Sequence, residues 1–188
     1  MALMRKPRRF TLEEYHRMGE AGILDEDERV ELIEGEIVEM TPIGRAHASV
    51  VARIAKLFWT HFGDRAIVWV QNPLALPRQV SEFQPDLALL KPRRDFYRGK
   101  RVEPADALLV VEVMDSSVAH DRRVKLPIYA RGGVPEVWLV DVNASTVETH
   151  REPTAAGYRD RSLVERGGTL ASLAFADTVL AVVRDMVG

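Results

Sequence analysis

The feature that most constrains this sequence is a short, almost wholly apolar run that carries one carboxylate. Residues 107–113 read Ala-Leu-Leu-Val-Val-Glu-Val, and a run of this length and composition is typical of a strand buried on both faces of a sheet. An ionised carboxylate is costly in such a strand because water is excluded from it. Glu112 therefore needs a partner, or it must lie where the strand opens onto a cleft.

A second apolar run begins with another acid. Asp86 precedes Leu87-Ala88-Leu89-Leu90, so adjacent strands could bring Asp86 and Glu112 together. Two carboxylates about 4 Å apart repel each other by roughly 4 kcal/mol at an effective dielectric constant near 20. Protonation or a cation must relieve this repulsion, and hard carboxylate oxygens suit Mg²⁺ or Mn²⁺. We therefore predict a metal site at Asp86 and Glu112.

The segment that follows the second run predicts a helix that carries a lysine. Asp121 and Lys125 are four residues apart and would share one helix face. A lysine close to the two carboxylates could orient water and stabilise the negative charge that develops on a phosphate during hydrolysis. The alternative is an ordinary surface ion pair between Asp121 and Lys125, worth a few tenths of a kcal/mol, on the order of 0.3–0.5.

These residues, in this order, resemble the PD-(D/E)XK nuclease superfamily, whose members have the fold of restriction endonucleases. The resemblance is greater to its Uma-type branch of bacterial restriction-endonuclease-like nucleases, and it spans about residues 10–180. The Pro85-Asp86 pair alone is a weak signal, but the ordered set is a strong one. The matching segments are residues 31–38, Gly44 with His47, residues 112–114, Asp121 with Lys125, and residues 129–141.

The resemblance implies a metal-dependent endonuclease that hydrolyses phosphodiester bonds, with DNA as the expected substrate and a homodimer as the expected assembly. It implies that Asp86, Glu112 and the backbone carbonyl of Val113 bind Mg²⁺ or Mn²⁺, and that Lys125 positions the attacking water. In the superfamily pattern the lysine stands two residues after the second acid, where this chain has Met114. The resemblance implies that the lysine has moved to the next helix, at Lys125.

The chain also departs from the superfamily pattern on the first core helix. Many members place an acid there, but residues 44–62 contain none. Our expected substitute is Glu34, or Glu31 in the same hairpin. Gln84, two residues before the first strand acid, is a further candidate because alternate residues of an extended chain point the same way. His47 lies on the apolar stripe of the helix, where a role in the core or at the helix end is the alternative to a catalytic one.

One segment of the chain is strongly basic. Residues 91–101 contain six cations and one acid, with two aromatic residues between them. Such a mixture can contact phosphates and stack on bases, although it is also typical of a solvated loop. The candidate nucleic-acid-binding residues are Lys91, Arg93, Arg94, Arg98, Lys100 and Arg101.

Composition limits the class of protein. The 188 residues most simply form one domain, with residues 1–9 as a flexible basic N terminus and residues 10–43 as a helix and hairpin extension. The net charge is −2, so a nucleic-acid-binding surface must be local. The absence of cysteine excludes disulfides and thiolate zinc sites and is compatible with the cytoplasm, the expected location. No apolar run approaches the roughly 20 residues needed to cross a bilayer, so no membrane partner is expected.

The order of the elements predicts a mixed α/β (α+β) fold. We expect a restriction-endonuclease-like core in which helices flank a central mixed β-sheet. Residues 77–82 are expected to form a polar loop, and residues 180–186 a helix. Two alternatives to the nuclease stay open: a nucleic-acid-binding protein whose catalytic site has decayed, and a metal-binding or oligomeric protein with no nucleic-acid role.

Overall fold

The structure is a mixed α/β assembly built on a six-stranded sheet. The computed structural model describes residues 7–25, 27–181 and 186–187. In chain order, the elements are α1 (Leu12–Glu20), β1 (Val30–Ile33), β2 (Glu36–Glu39), α2 (Arg45–Phe62), β3 (Ile67–Val70), β4 (Leu74–Leu76), β5 (Ser81–Phe83), β6 (Leu87–Leu90), β7 (Ala107–Met114), α3 (Val118–His120), a π-helical turn (Asp121–Lys125), α4 (Leu126–Gly132), β8 (Glu136–Asp141), β9 (Thr146–Thr154), β10 (Gly157–Val164), β11 (Thr169–Leu170) and β12 (Leu180–Ala181).

The central sheet has the strand order β10-β9-β8-β7-β6-β3. Strands β7 and β8 are parallel, and the other neighbouring pairs are antiparallel. The connection between β7 and β8 contains α3, the π-helical turn and α4, as a crossover between parallel strands requires. The predicted central mixed sheet is confirmed, and β7 lies in its middle.

A helix covers each face of the sheet. On one face, Ile54 and Phe58 of α2 pack in a hydrophobic cluster with Val111 of β7. On the other face, Ile128 of α4 belongs to a second cluster that includes Val110 of β7. Because successive side chains of a strand point to opposite faces, the apolar run of β7 supplies both clusters. This explains why the run lacks the alternation of a half-exposed strand.

A smaller four-stranded sheet, with the order β2-β1-β5-β4, packs beside the central one. Its β1–β2 hairpin turns at Glu34 and Gly35, whose φ angles are 48° and 83°. Two successive positive φ angles are typical of the tight turns that match the twist of a hairpin. The expected hairpin is therefore observed, with Ile33 opposite Glu36.

Two expected elements differ in the structure. Residues 81–83 form the buried strand β5 rather than part of a polar loop. Its polar side chains are buried with partners, since Ser81 donates to the carbonyl of Gln79 and Glu82 accepts from His16. The expected C-terminal helix is also not observed where it should begin, because residues 180–181 pair with β11 as strand β12. Residues 182–185 lie outside the described part of the chain.

The N-terminal extension contacts the hairpin. Residues 1–6 of the expected flexible N terminus lie outside the described residues. Arg8 is paired with Glu14 of α1, and Arg9 contacts Glu36 at 3.1 Å and the carbonyl oxygen of Glu34 at 2.9 Å. Arg8 and Arg9 are thus bonded to α1 and to the β1–β2 hairpin. None of the helices within the described residues is long and apolar enough to cross a membrane.

Candidate active site

The two strand acids lie opposite each other. In the antiparallel pairing of β6 with β7, Leu87 faces Val111, so the next position of the register places Asp86 opposite Glu112. Residues directly opposite on antiparallel strands have Cβ atoms roughly 4.5–5.5 Å apart. The backbone N–H of Val113 donates to Oδ2 of Asp86 at 2.8 Å, which fixes the Asp86 carboxylate beside this strand.

His47 reaches the same carboxylate from α2. Its Nε2 lies 3.0 Å from Oδ2 of Asp86, because α2 begins directly after Gly44 and its first turn stands over the start of β6. The hydrogen bond to Asp86 raises the pKa of His47, and burial opposes that shift. Gln71 donates to the other oxygen of Asp86 at 3.3 Å. The Asp86 carboxylate is thus oriented from three sides.

Lys125 lies on the same side of the sheet, among the acids. Its Nζ is 2.9 Å from Oε1 of Glu31 and 3.4 Å from Oε1 of Glu112. The hydroxyl of Tyr129 donates to Oε1 of Glu112 at 2.6 Å, and the backbone N–H of Gln84 donates to Oε1 of Glu31 at 2.8 Å. The side chains of Lys125, Glu31 and Glu112 are each less than 10 % exposed: 7 %, 4 % and 4 %. One buried ammonium is therefore shared by two buried carboxylates.

Burial and charge act in opposite directions on this cluster. Burial raises the pKa of Glu112 to about 8; Lys125 opposes the shift, whereas the like charges of Asp121, Asp86 and Glu31 add to it. For Lys125, burial would lower the pKa, but Glu112 and Glu31 outweigh it and hold the pKa above its usual value. The ammonium is therefore retained at neutral pH, while Glu112 is the group in the cluster most easily protonated.

The π-helical turn determines where Lys125 points. The backbone N–H of Leu126 bonds to the carbonyl oxygen of Asp121, five residues earlier, which adds one residue to that turn of the helix. Asp121 is bonded to Ser117, and Lys125 to Glu31 and Glu112. The alternative of a surface ion pair between Asp121 and Lys125 is therefore wrong, because both side chains are buried and each has a different partner.

These side chains line one open cavity of about 360 Å³. It lies between the β1–β2 hairpin, the start of α2, the acid-bearing ends of β6 and β7, and the π-helical turn. Of the predicted site residues, it brings together Asp86, Glu112, Lys125, His47 and Gln84, with Glu31 from the hairpin. It is also lined by residues that the sequence did not single out for the site, including Arg29, Asp115 and His120.

Glu34, a predicted site residue, does not lie in the site. It lies in the hairpin turn, its side chain is 48 % exposed, and it pairs with Arg131 at 2.7 Å, away from the cavity. Glu31 is the hairpin acid that enters the site. Tyr129, which donates to Glu112, was not predicted as a site residue. It stands four residues after Lys125, a spacing that places two helical side chains on one face.

The basic run lies at the other end of β6 from Asp86. Lys91 follows the last residue of this strand, so the run is separated from Asp86 by roughly 16 Å at 3.3 Å per residue. None of its six cations lines the acid-bearing cavity. Within it, Arg93 pairs with Asp95 at 2.5 Å and Lys100 with Asp106 at 2.6 Å. This run is therefore too far from Asp86 to contact a phosphate bound beside that carboxylate.

The donors at the site suit a hard divalent cation. Among the described residues, no three histidine, aspartate or glutamate side chains form a ready-made metal cluster. Mg²⁺, however, is usually held by one or two carboxylates, with water and substrate phosphates supplying the other oxygens. Asp86 and Glu112 provide such a pair on facing positions of two strands. A cation between them would also remove the repulsion that contributes to the raised pKa of Glu112.

The comparisons with known proteins agree with this fold. The chain is similar to a crystal structure described as that of a putative nuclease belonging to DUF820 from Anabaena variabilis, with a TM-score of 0.70, 15 % sequence identity, and coverage of 92 % of this chain and 95 % of that chain. No functionally curated protein matches it. The model of the Uma2 family, described as "Putative restriction endonuclease", matches residues 12–183. This match covers nearly the whole chain and includes every residue of the cavity, so the protein belongs to the Uma2 family.

Proposed function

We propose that the protein is a metal-dependent endonuclease that hydrolyses phosphodiester bonds in DNA. The observation that carries this proposal is the meeting of Asp86, Glu112 and Lys125 in one open cavity, although they come from two strands and a helix. A nuclease family and a nuclease-like fold support the general class. The choice of Mg²⁺ or Mn²⁺ follows from the oxygen donors.

In this proposal, the protein groups hold the reacting atoms in place. Asp86 is oriented by the N–H of Val113 and by His47, so its position is set before any ligand arrives. Asp86, Glu112 and the carbonyl of Val113 would hold the cation, which when bound supplies polarisation of the phosphate and of a water molecule. The Lys125 ammonium would position that water and offset the negative charge that grows on the phosphate.

Several finer properties belong to the same proposal. Gln84 would contribute a polar side chain at the edge of the cavity, and the cations of residues 91–101 would contact the substrate beyond it. A homodimer would allow two sites to cut two strands. We also propose a cytoplasmic location, with which the lack of cysteine is compatible.

The second candidate is a protein that binds nucleic acid without cutting it. Two observations favour it. Met114 occupies the position of the superfamily lysine, and Lys125 is already bonded to two carboxylates. In that case the cluster would stabilise the fold and the cavity would serve for binding only.

Plasmid nicking separates the two candidates. We expect the purified protein to nick supercoiled DNA with Mg²⁺ or Mn²⁺ and not with EDTA. We expect Asp86→Asn and Lys125→Ala each to reduce the rate at least about 100-fold, the usual effect of removing a group that stabilises the transition state. Salt-sensitive binding of DNA without nicking would instead support the second candidate.

A further inference from the structure

Helix α2 has an unusual charge distribution. Its 18 residues contain no acid, whereas Arg45, Arg53 and Lys56 are exposed on it. At 3.6 residues per turn, these three cations and Trp59 fall within an arc of about 120°, opposite the buried stripe of Ile54. No ion pair is formed by the three cations within the described residues. The outer face of α2 is therefore a row of free positive charge on a protein whose net charge is −2.

Helix stability alone does not favour this pattern. Arg45 is the first residue of α2, where the helix dipole favours an acid and disfavours a cation. Acids four residues away from Arg53 or Lys56 would also stabilise an exposed helix, but the sequence provides none. The distribution is what an anionic partner would require.

The far end of α2 opens on a second cavity, which contains two exposed aromatic side chains. The cavity has a volume of about 430 Å³ and is lined by Trp59, Phe96 and Arg94, with Asp64 also on its wall. Trp59 is 53 % exposed and Phe96 is 64 % exposed. Aromatic faces beside cations are the groups on which unpaired bases stack.

The loop that carries Phe96 is fixed in an uncommon conformation. Phe96 and the next residue, Tyr97, both have positive φ angles, 49° and 62°, which are costly for aromatic residues. Tyr97 is buried, its hydroxyl donates to the carbonyl of Lys91 at 2.9 Å, and its ring packs edge-on against Trp69. The buried Tyr97 thus holds the turn in place while Phe96 faces the solvent.

The two cavities lie at opposite ends of the same helix. His47 lines the acid-bearing cavity and Trp59 the aromatic one, and 12 residues of α-helix separate them by about 18 Å. Strand β6 gives a similar separation of roughly 16 Å between Asp86 and Lys91. The cations of α2 lie on the path between the two ends.

We propose that the outer face of α2 binds one strand of nucleic acid, whose phosphates contact Arg53 and Lys56 and one of whose unpaired bases stacks between Trp59 and Phe96. This strand would lead away from the acid-bearing cavity, so the proposal rests on the nucleic-acid substrate proposed above and adds where the substrate lies. A strand spacing of about 3.4 Å per base pair makes 18 Å equal to roughly five nucleotides of duplex-like strand. The stacked base would then lie about five positions from the cleaved phosphate.

Binding without divalent metal tests the charged face. A fluorescently labelled single-stranded 12-mer is titrated with protein in EDTA at several salt concentrations. The double variant Arg53→Ala/Lys56→Ala is expected to reduce the slope of log K against log salt by about 1.4, or 0.7 for each phosphate that the variant no longer neutralises. The control is Arg159→Ala/Arg166→Ala, which removes the same charge from exposed cations near β10 and should leave the slope unchanged. Equal changes in the two double variants would overturn the proposal.

A separate measurement tests the aromatic cavity. Trp59→Ala and Phe96→Ala should each weaken binding of the 12-mer about 5- to 150-fold, the range seen when one stacked base loses its aromatic partner. They should weaken binding of a fully paired duplex less. The control is Leu163→Ala, which shortens an exposed apolar side chain on β10. Unchanged affinity in the aromatic variants would overturn the stacking site, whether or not these variants lose a dimer in sedimentation.

The outcome is separable from that of the proposed activity. If plasmid nicking is observed while the α2 variants bind normally, the α2 proposal fails and the endonuclease stands. If the α2 variants lose binding but no nicking is found, the surface stands and the endonuclease fails.

Discussion

Lys125 lies among three buried acidic side chains. Glu31 and Glu112 bond to its ammonium, and Asp121 lies close by. Removing one partner of a buried pair leaves a desolvated charge and is strongly destabilising. The cluster should therefore respond to single substitutions far more than an exposed ion pair would.

Glu31 and Glu34 provide a matched comparison within one hairpin. We expect Glu31→Ala to lower the free energy of unfolding by about 3 kcal/mol or more, since it also leaves the N–H of Gln84 without its acceptor. Glu34→Ala should lower it by only about 0–1 kcal/mol, because the pair with Arg131 is exposed. Urea denaturation gives both values. Equal losses would contradict the assignment of Glu31, rather than Glu34, to the site.

The raised pKa of Glu112 makes stability depend on pH. With the pKa moved from 4.5 to about 8 by burial, the folded protein keeps a proton that the unfolded chain releases. The contribution of this group is fully present below about pH 4.5 and falls by up to about 1.4 kcal/mol per pH unit as the pH rises towards 8. Lys125 titrates above this window.

We expect Glu112→Gln, which cannot ionise, to remove that dependence. Urea unfolding at pH 5, 6.5 and 8 should show the unmodified protein losing stability across the series relative to the variant. Glu34→Gln, at an exposed acid outside the cavity, serves as a control. A constant difference between Glu112→Gln and the unmodified protein at all three pH values would show that Glu112 is already ionised at pH 5.

For single residues, the sequence predicted that Asp86 and Glu112 would lie together. It did not decide which neighbouring residues would contact them. Asp86 and Glu112 stood out because each adjoins an apolar run in which a carboxylate needs an explanation. Glu31 and Glu34 both lie in one acidic hairpin, and only the register and the turn decide which of them faces the central sheet. Tyr129 gave no signal as a polar residue, since an aromatic residue on a helix is equally typical of a core.

At the scale of single elements, the β1–β2 hairpin holds Glu31 over the end of the central sheet. Its turn is closely packed: a Cβ on Gly35 would lie 2.8 Å from Cβ of Arg9 and 2.9 Å from the carbonyl oxygen of Phe10. Gly35 also has a φ of 83°. The turn therefore requires glycine for both its conformation and its space.

Gly35→Ala should destabilise the protein by about 2–3 kcal/mol and reduce nicking, since the strain falls on the strand that positions Glu31. The matched control is Gly22→Ala, at a φ of 66° with no atom within 4 Å of the added Cβ. That variant carries the conformational strain without the clash and should cost about 1 kcal/mol. Thermal unfolding of the two variants, side by side, would measure the difference; identical melting temperatures would contradict it.

Elements with long or repeated patterns were predicted well, and short polar ones were not. The apolar stripe of α2 and the run of β7 gave their bounds to within about two residues. Strand β5 has only three residues, two of them polar, so its pairing with β1 and β4 is set by tertiary contacts that no local pattern records. The π-helical turn likewise has no sequence signature, because its extra residue is defined by backbone bonds alone.

For the whole molecule, the site joins parts that are distant in the chain. The hairpin belongs to the smaller sheet, and Asp86 and Glu112 to the central one. A cation held between such parts binds the folded state and not the unfolded chain. At 100 times its dissociation constant it would add about 2.7 kcal/mol of stability.

We therefore expect Mn²⁺ to raise the melting temperature by roughly 5–10 °C, given 2–4 °C per kcal/mol for a chain of this size. The shift should reverse with EDTA and be lost in Asp86→Asn. Asp177→Asn, which removes an exposed acid paired with Arg65, should keep the shift. An equal shift in both variants would indicate that Mn²⁺ binds elsewhere.

The family resemblance predicted the overall fold and the family, and both are confirmed. It could not predict how the smaller sheet packs on the central one, because that packing depends on buried polar contacts such as those of Lys125 with Glu31 and Glu112. Nor could it predict that the basic run lies far from the acids, which follows from the direction of β6.

The placement of Lys125 has a consequence for recognising distant relatives. Glu112 and Lys125 lie on separate elements, β7 and the π-helical turn, which are joined by residues 115–117 and α3. Insertions in residues 115–117 could lengthen the gap without disturbing either element. A deletion inside the π-helical turn would act differently, rotating the ammonium by about 100° away from its carboxylates. Relatives are therefore better identified by a lysine at the end of such a widened turn than by any fixed number of residues after the glutamate.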